Sequence, residues 1–239
     1  ANGSVYDLNI WMFNQLQKTI TGWPGGKPDT DDTDRPERAS PAKKRVLVFS
    51  PHPDDDMISM GGTIKRLHDQ GHDIHIAYQT SGNIGVSNEE AQKFIEIAKY
   101  SSSDKIIIID TLQQKIEDGL SSKEVLKLKA SIRRSECLAA ARYLKIPEEN
   151  LHFMNLPFYE SGKIKKNEPS KKDNEITVEL IKSIRPHQIF AAGDLADPHG
   201  THRVCLNIIL DSLHSLKKQS FMKSCWLWLY RGAWQEWDI

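Results

Sequence analysis

Cysteine is scarce in this chain of 239 residues: Cys137, Cys205 and Cys225 are three in number, widely spaced and without a CxxC pair. That set excludes a disulfide framework and a thiolate zinc site, and it predicts reduced core residues. An excess of either charge is missing too. The 32 basic residues match the 32 acidic ones, which argues against nucleic acid, where a concentrated basic face supplies most of the affinity. No apolar run approaches the ~18 residues of a membrane span, and the first residues lack a basic segment followed by an apolar one. The expectations are therefore no membrane partner and a cytoplasmic location. The chain also shows no internal repeat, and it begins Ala-Asn-Gly rather than with Met, the pattern of an excised piece or a processed product.

What is present is an alternating pattern. Residues 5–20, "VYDLNIWMFNQLQKTI", have apolar positions at helical spacing, and residues 21–45 are too rich in Gly, Pro and mixed charge to pack a core. Residues 1–44 therefore read as a helix and linker extension, ahead of a globular domain over 45–239. That domain opens with the strand "RVLVFS", followed by a helix predicted over "GGTIKRLHDQG", opened by its glycines. The strand "DIHIAYQTS" and the helix "NEEAQKFIEIAKY" come next, then "DKIIIID", a run that suits strand or helix equally. A long helix with a Ser start signal, "SSKEVLKLKASIRRSECLAAARYLK", leads to the strand "NLHFMNL" and a long polar loop at 157–173. The helix "NEITVELIKSIR", strand "PHQIFAAG", helix "THRVCLNIILDSLHSL" and strand "SCWLWLY" complete the order. Buried strands alternating with helices predict an α/β, Rossmann-like three-layer sandwich: a mostly parallel sheet with helices on both faces.

In such sheets ligands bind where the carboxyl ends of strands run into helices. Two loops there carry unusual chemistry, "SPHPDDDMISMGG" after the first strand and "GDLADPHGTHR" after the penultimate one. Three adjacent carboxylates repel, and burying them needs a compensating cation or proton. His52 and Asp55 can turn toward one point from a tight loop, and "HGTH" offers His199 and His202 for a third ligand, with a fourth position left for water. Imidazole and carboxylate suit zinc, and iron, cobalt or manganese also fit. Asp54, beside a ligand, is placed to take a proton from water. If His202 is the ligand, His199 is placed to stabilise an oxyanion or protonate a leaving amine. Taken singly, the acidic run also suits a helix start and HxxH a pair of surface histidines. Their conjunction on one sheet edge favours metal-assisted hydrolysis.

His68, His72 and His75 form a second group, but Gly71 reverses the chain within it, so surface or packing roles are expected. His152, His187 and His214 stand alone in their patterns. Trp226, Trp228, Trp234 and Trp237 have a strand-like period and read as core and edge packing.

"PHPDDDMISMGG", a following Thr-Ser-Gly loop, the helical "RRSE" and "DPHGTHR" together resemble the LmbE-like/PIG-L family of zinc-dependent N-acetylglucosaminyl deacetylases, from about Arg45 to the last strand. The resemblance implies a Rossmann-like sheet and hydrolysis of the acetamide of an N-acetylglucosamine-type sugar or conjugate. It makes His52, Asp55 and His202 the zinc ligands, Asp54 the base and His199 the assistant to the tetrahedral intermediate. Arg133 and Glu160 match substrate-binding positions. Asp56 replaces the family's usual Glu, and "HGTH" replaces its common "HPDH", so an orienting Asp is missing there. Some relatives are fused behind a glucosamine-6-phosphate deaminase/isomerase-like domain, and such a fused or separate partner domain is expected here. A homo-oligomer is left open. The same residues would also serve a metal-dependent hydrolase of another amide or a phosphoester, or a non-catalytic sugar-binding module.

Overall fold

The computed structural model describes residues 4–16, 43–101, 106–119, 121–194 and 197–232. The elements run α1 (Val5–Leu16), β1 (Arg45–Ser50), α2 (Asp55–Asp69), β2 (Asp73–Tyr78), α3 (Asn88–Ser101), α4 (Ile106–Glu117), α5 (Lys123–Tyr143), β3 (Leu151–Phe153), α6 (Lys171–Ile184), β4 (Gln188–Ala192), α7 (Thr201–Leu216) and β5 (Trp226–Tyr230). All pairings among the five strands are parallel, in the order β3-β2-β1-β4-β5. The expected α/β sandwich is the observed fold. The linker read over residues 21–45 lies mostly outside the described residues, as do Trp234 and Trp237.

Strand β1 shows why the sheet is covered twice. Val46, Leu47, Val48 and Phe49 are fully buried, and successive side chains point to opposite faces. Val46 and Val48 pack with Met60, Ile64 and Leu67 of α2 and with Cys137 and Ala141 of α5. Leu47 and Phe49 pack with Ile181 and Ile184 of α6 and with Leu206 and Ile209 of α7. A smaller core, including Ile95, Ile116, Val125 and Ile132, ties α3 and α4 to α5. Cys137 and Cys205 are buried thiols and Cys225 is half-buried, all unpaired.

Three local readings are sharpened. The ambiguous isoleucine run is helical, forming the start of α4. Helix α2 begins at Asp55, two turns before the glycines expected to open it, because acids are favourable in a first turn. Gly61 and Gly62 sit inside that helix, where an added Cβ would meet nothing within 4 Å. Helix α5 starts as its serine predicts, with Ser122 accepting the Val125 N–H, whereas α6 starts at Lys171, three residues before the expected Asn174, because Ser170 forms a reciprocal capping box with Asp173.

The other histidines serve the scaffold. His72 Nδ1 accepts the Lys44 N–H at 3.2 Å and His187 Nδ1 accepts the Arg45 N–H at 3.0 Å, both at the amino end of the sheet. Burial lowers the His72 imidazole to about 4. His152 does not stand alone: the β2–β3 register brings its ring to 3.1 Å from His75 Nδ1. The Trp226 and Trp228 rings stack 6.3 Å apart on the edge strand β5, Trp226 exposed and Trp228 half-buried against the core.

Candidate metal centre

The chain builds β1, β2 and β3 outward in one direction and then returns to place β4 on the other side of β1. The reversal opens a crevice at the carboxyl ends of β1 and β4, which is where ligands bind in open α/β sheets. The loop from β1 into α2 enters it from one side, and the loop from β4 into α7 from the other. His52 and Asp55 thereby meet His202, 150 residues away in sequence.

The geometry is tight. His52 Nδ1 lies 3.3 Å from Asp55 Oδ2, and His202 Nε2 lies 3.2 Å from both that oxygen and His52 Nδ1. The Asp55 carboxylate also accepts the His52 N–H at 2.9 Å, which fixes the turn. His202 is 2% exposed, and its Nδ1 donates to Asp194 Oδ2 at 3.1 Å. That bond sets the tautomer and turns the Nε2 lone pair toward the other two donors. Burial works against a charged His202, but the Asp55 carboxylate outweighs it and raises the imidazole to about 9. Burial likewise opposes a charged Asp55, and hydrogen bonds from His202 and His52 nonetheless hold it well below the usual carboxylate range. Three donor atoms therefore surround a point that only positive charge can fill, either a proton or a cation.

A cation fits. A tetrahedral ion bound at about 2.0–2.1 Å would separate its ligands by about 3.3 Å. These three residues are the group with metal-ligand spacing among the described residues. His68, His72 and His75 do not converge on a point, because the turn around Gly71 sends His68 to Asp69, His72 to the Lys44 N–H and His75 of β2 to His152.

The three acids of the opening motif separate by environment. Asp55 faces the metal point. Asp54, about 43% exposed, lies at the cavity and pairs with Arg133 at 2.8 Å. Asp56 is fully buried beneath the loop, where it accepts the Tyr78 O–H at 3.1 Å and receives Ser50. Burial raises Asp56 to about 6 against those hydrogen bonds. Its role is to anchor the loop from below.

His199 stands at the lip of the same cavity, whose volume is about 390 Å³. Arg133 lines it too, yet its guanidinium is engaged by Asp54, by the Pro53 carbonyl and by Glu136 at 3.3 Å. Glu160 is not among the lining residues. Its carboxylate accepts the Ser81 N–H at 2.8 Å and the Asn83 amide at 3.4 Å, holding the Thr-Ser-Gly loop. In that loop Gly82 has a left-handed φ of +63, and an added Cβ would come 2.7 Å from Pro53 Cδ. Only glycine lets this turn lie against the metal-binding loop.

Four residues around the candidate site were not legible in the sequence. Asp194 orients His202. Asp197 accepts the His199 N–H at 3.0 Å and the His202 N–H at 2.8 Å, which shapes the start of α7. Together these two acids supply the orienting carboxylates that "HGTH" lacks. Tyr159 and Lys166 line the cavity together with Arg133 of α5. Asp194 and Asp197 did lie in the singled-out "GDLADPHGTHR", and Lys166 in the loop at 157–173, but nothing local marked which residue turns inward.

The sequence pattern of the PIG-L family, described as GlcNAc-PI de-N-acetylase, matches residues 47–213, which take in both metal-binding loops. The chain belongs to the PIG-L family of N-deacetylases. This PIG-L chain is 50% identical over 251 residues to a putative glucosamine-6-phosphate deaminase-like protein of Bacteroides thetaiotaomicron, a match covering 99% of the chain and 38% of that protein. It thus spans well under half of that relative's length. A diacetylchitobiose deacetylase of Thermococcus kodakarensis is 47% identical over 47 residues, 20% of the chain and 18% of that protein. Among solved structures, an N,N'-diacetylchitobiose deacetylase from Pyrococcus horikoshii in complex with an inhibitor is 19% identical, with a TM-score of 0.49 over 96% of this chain and 70% of that one.

Asp194 links the PIG-L metal point to the segment after β5. Its Oδ1 accepts the Gly232 N–H at 2.6 Å, and a Cβ on Gly232 would fall 1.6 Å from its Oδ2. Replacing Gly232 with alanine must therefore displace the Asp194 carboxylate and free the His202 ring. We expect Gly232→Ala to remain folded while its metal affinity falls about 10- to 100-fold, the usual cost of losing an outer partner. Competition with a chromophoric chelator measures this, and unchanged affinity would show that Gly232 does not hold Asp194 in place.

Proposed function

We propose that residues 45–239 form a zinc-dependent N-deacetylase domain that removes acetyl from an N-acetylglucosamine-type sugar or conjugate. The convergence of His52, Asp55 and His202 in the crevice between β1 and β4 carries this reading. Family membership supplies the reaction class. A zinc ion held by those three side chains would supply Lewis acidity toward the acetamide carbonyl and acidify a water molecule.

The chain's own residues account for the proton traffic. Asp54 is the general base: its carboxylate lines the cavity next to Asp55, and Arg133 fixes its orientation at 2.8 Å. As the water oxygen bonds to the carbonyl carbon, Asp54 Oδ takes the water's proton. His199, which also lines the cavity, hydrogen-bonds the oxygen that gains charge, and Asp197 steadies it through the backbone N–H. When the C–N bond breaks, the proton taken by Asp54 goes to the departing nitrogen, so the free amine and acetic acid leave with the base regenerated, and the acid gives its proton to solvent to become acetate. The charged, polar and aromatic side chains that line the cavity suit a sugar. A deaminase/isomerase-like partner domain, suggested by the name and length of the Bacteroides relative, would act on the amine so released.

Acetate release from N-acetylglucosamine and N,N'-diacetylchitobiose, measured with defined metal content, tests the reading. Activity should disappear on removal of metal by a chelator and return most fully with zinc. Phosphate release from sugar phosphates without acetate release from either amide would instead point to a phosphoesterase.

A further inference from the structure

The segment 157–173, the loop before α6 and that helix's first residues, has a division of charge that neither the fold nor the reaction requires. Its lysines are Lys163, Lys165, Lys166, Lys171 and Lys172; its acids are Glu160, Glu168 and Asp173. Two of those acids are turned into the fold. Glu160 holds Ser81 and Asn83, and buried Asp173 accepts from Phe158 N at 2.9 Å and Ser170 N at 2.8 Å. Lys163, Lys165, Lys171 and Lys172 are exposed, whereas Lys166 is half-buried and lines the cavity that holds His52, Asp55 and His202.

Lys166 differs from Arg133 in its partners. The Arg133 guanidinium is matched by Asp54 and Glu136, so its charge is already compensated. The Lys166 ammonium touches only neutral acceptors, the Thr201 hydroxyl and the His199 carbonyl at 3.3 Å, and lies 5.5 Å over the Tyr159 ring. Among the described residues no carboxylate stands within ion-pair distance of it, and its hydrogen bonds go to those two oxygens alone. Its contacts also fall at the first turn of α7, where the helix dipole disfavours a cation. Partial burial lowers its pKa against the pull of Asp197. A half-buried ammonium at a helix start, kept from full compensation and facing the reaction cavity, is arranged for an anion that arrives with the substrate.

We propose that Lys166 is a specificity-determining residue: the substrate of this domain is an N-acetylated amino sugar carrying an anionic group, phosphate or carboxylate, which Lys166 takes while the acetamide lies at the metal. The exposed lysines of the same segment raise the encounter rate for such a substrate. This inference rests on the N-deacetylase reading.

The test compares zinc-loaded full chain on N-acetylglucosamine, N-acetylglucosamine 6-phosphate, N-acetylglucosamine 1-phosphate and N-acetylmuramate, at low and physiological salt. For at least one anionic probe kcat/KM should exceed that for the neutral sugar by about tenfold, the worth of one charge-assisted hydrogen bond. Which probe gains most separates phosphate from carboxylate. Lys166→Met should collapse this preference through KM, and Lys166→Arg should retain most of it. Equal kcat/KM for neutral and anionic probes, or a preference untouched by Lys166→Met, would overturn the inference while leaving the deacetylase reading intact. If no probe releases acetate, the deacetylase reading fails. Calorimetric affinities for the same probes then decide the anion site: a Lys166-dependent preference supports it, and equal affinities overturn it.

Discussion

Replacing His202 with alanine should leave a folded protein that no longer holds its metal and releases no measurable acetate. His202 is the donor brought from the far side of the crevice, and the remaining pair, His52 and Asp55, comes from one short loop. Two ligands cannot close a catalytic zinc site, which takes three protein donors and one open position. The loss of affinity should exceed the ~10- to 100-fold cost of removing an outer partner such as Asp194. Metal analysis after gel filtration gives the outcome directly. Stoichiometric zinc retained by His202→Ala would defeat the ligand set. Because His202 is buried, circular dichroism and the thermal transition must accompany the measurement, and Asp55→Asn provides a milder second variant at a half-buried position.

Asp54→Asn should give the complementary result, with metal retained and turnover lost. The side chain is half-exposed and outside the ligand triad, so an isosteric amide disturbs neither burial nor coordination. An amide cannot accept the proton of the attacking water. We expect kcat to fall about 10²- to 10⁴-fold, the usual contribution of a general base, with KM changed little. Full activity in Asp54→Asn would remove it from that role. Comparison with Arg133→Met sharpens the assignment. If Arg133 acts by orienting Asp54, the loss should appear in kcat; if it binds the sugar, in KM.

The sequence went far toward both the fold and the site because the relevant signals are local. Continuous apolar runs such as "RVLVFS" report strands buried on both faces, and the intervening helical periods report what covers them. His52 and Asp55 are three residues apart in one turn, so their proximity is nearly dictated by the chain. Less was legible where a residue's role depends on a distant partner. Arg133 could be matched to a substrate position by its motif, but its ion pair with Asp54 spans from α5 to the β1–α2 loop. Glu160 was matched to a substrate position by the family resemblance, whereas its partners Ser81 and Asn83 lie almost 80 residues away. Helix α2 was started too late because two glycines were read as its opening, although the acids before them stabilise a first turn.

By itself, then, the sequence determined the alternation of strands and helices apart from the isoleucine run of α4, the sheet edge that carries the candidate ligands, and the donor types offered there. Residue period and side-chain chemistry are written in one dimension. Only the tertiary structure decided the rest. The reversal of strand order at β1 and β4 brings His202 to the loop that carries His52 and Asp55. The depth of each carboxylate assigns three chemically identical aspartates to three tasks: Asp55 facing the metal point, Asp54 held by Arg133 at the cavity, and Asp56 buried against Tyr78. Burial and the nearest opposite charge fix what a carboxylate does, and both are properties of the folded surroundings rather than of the residue.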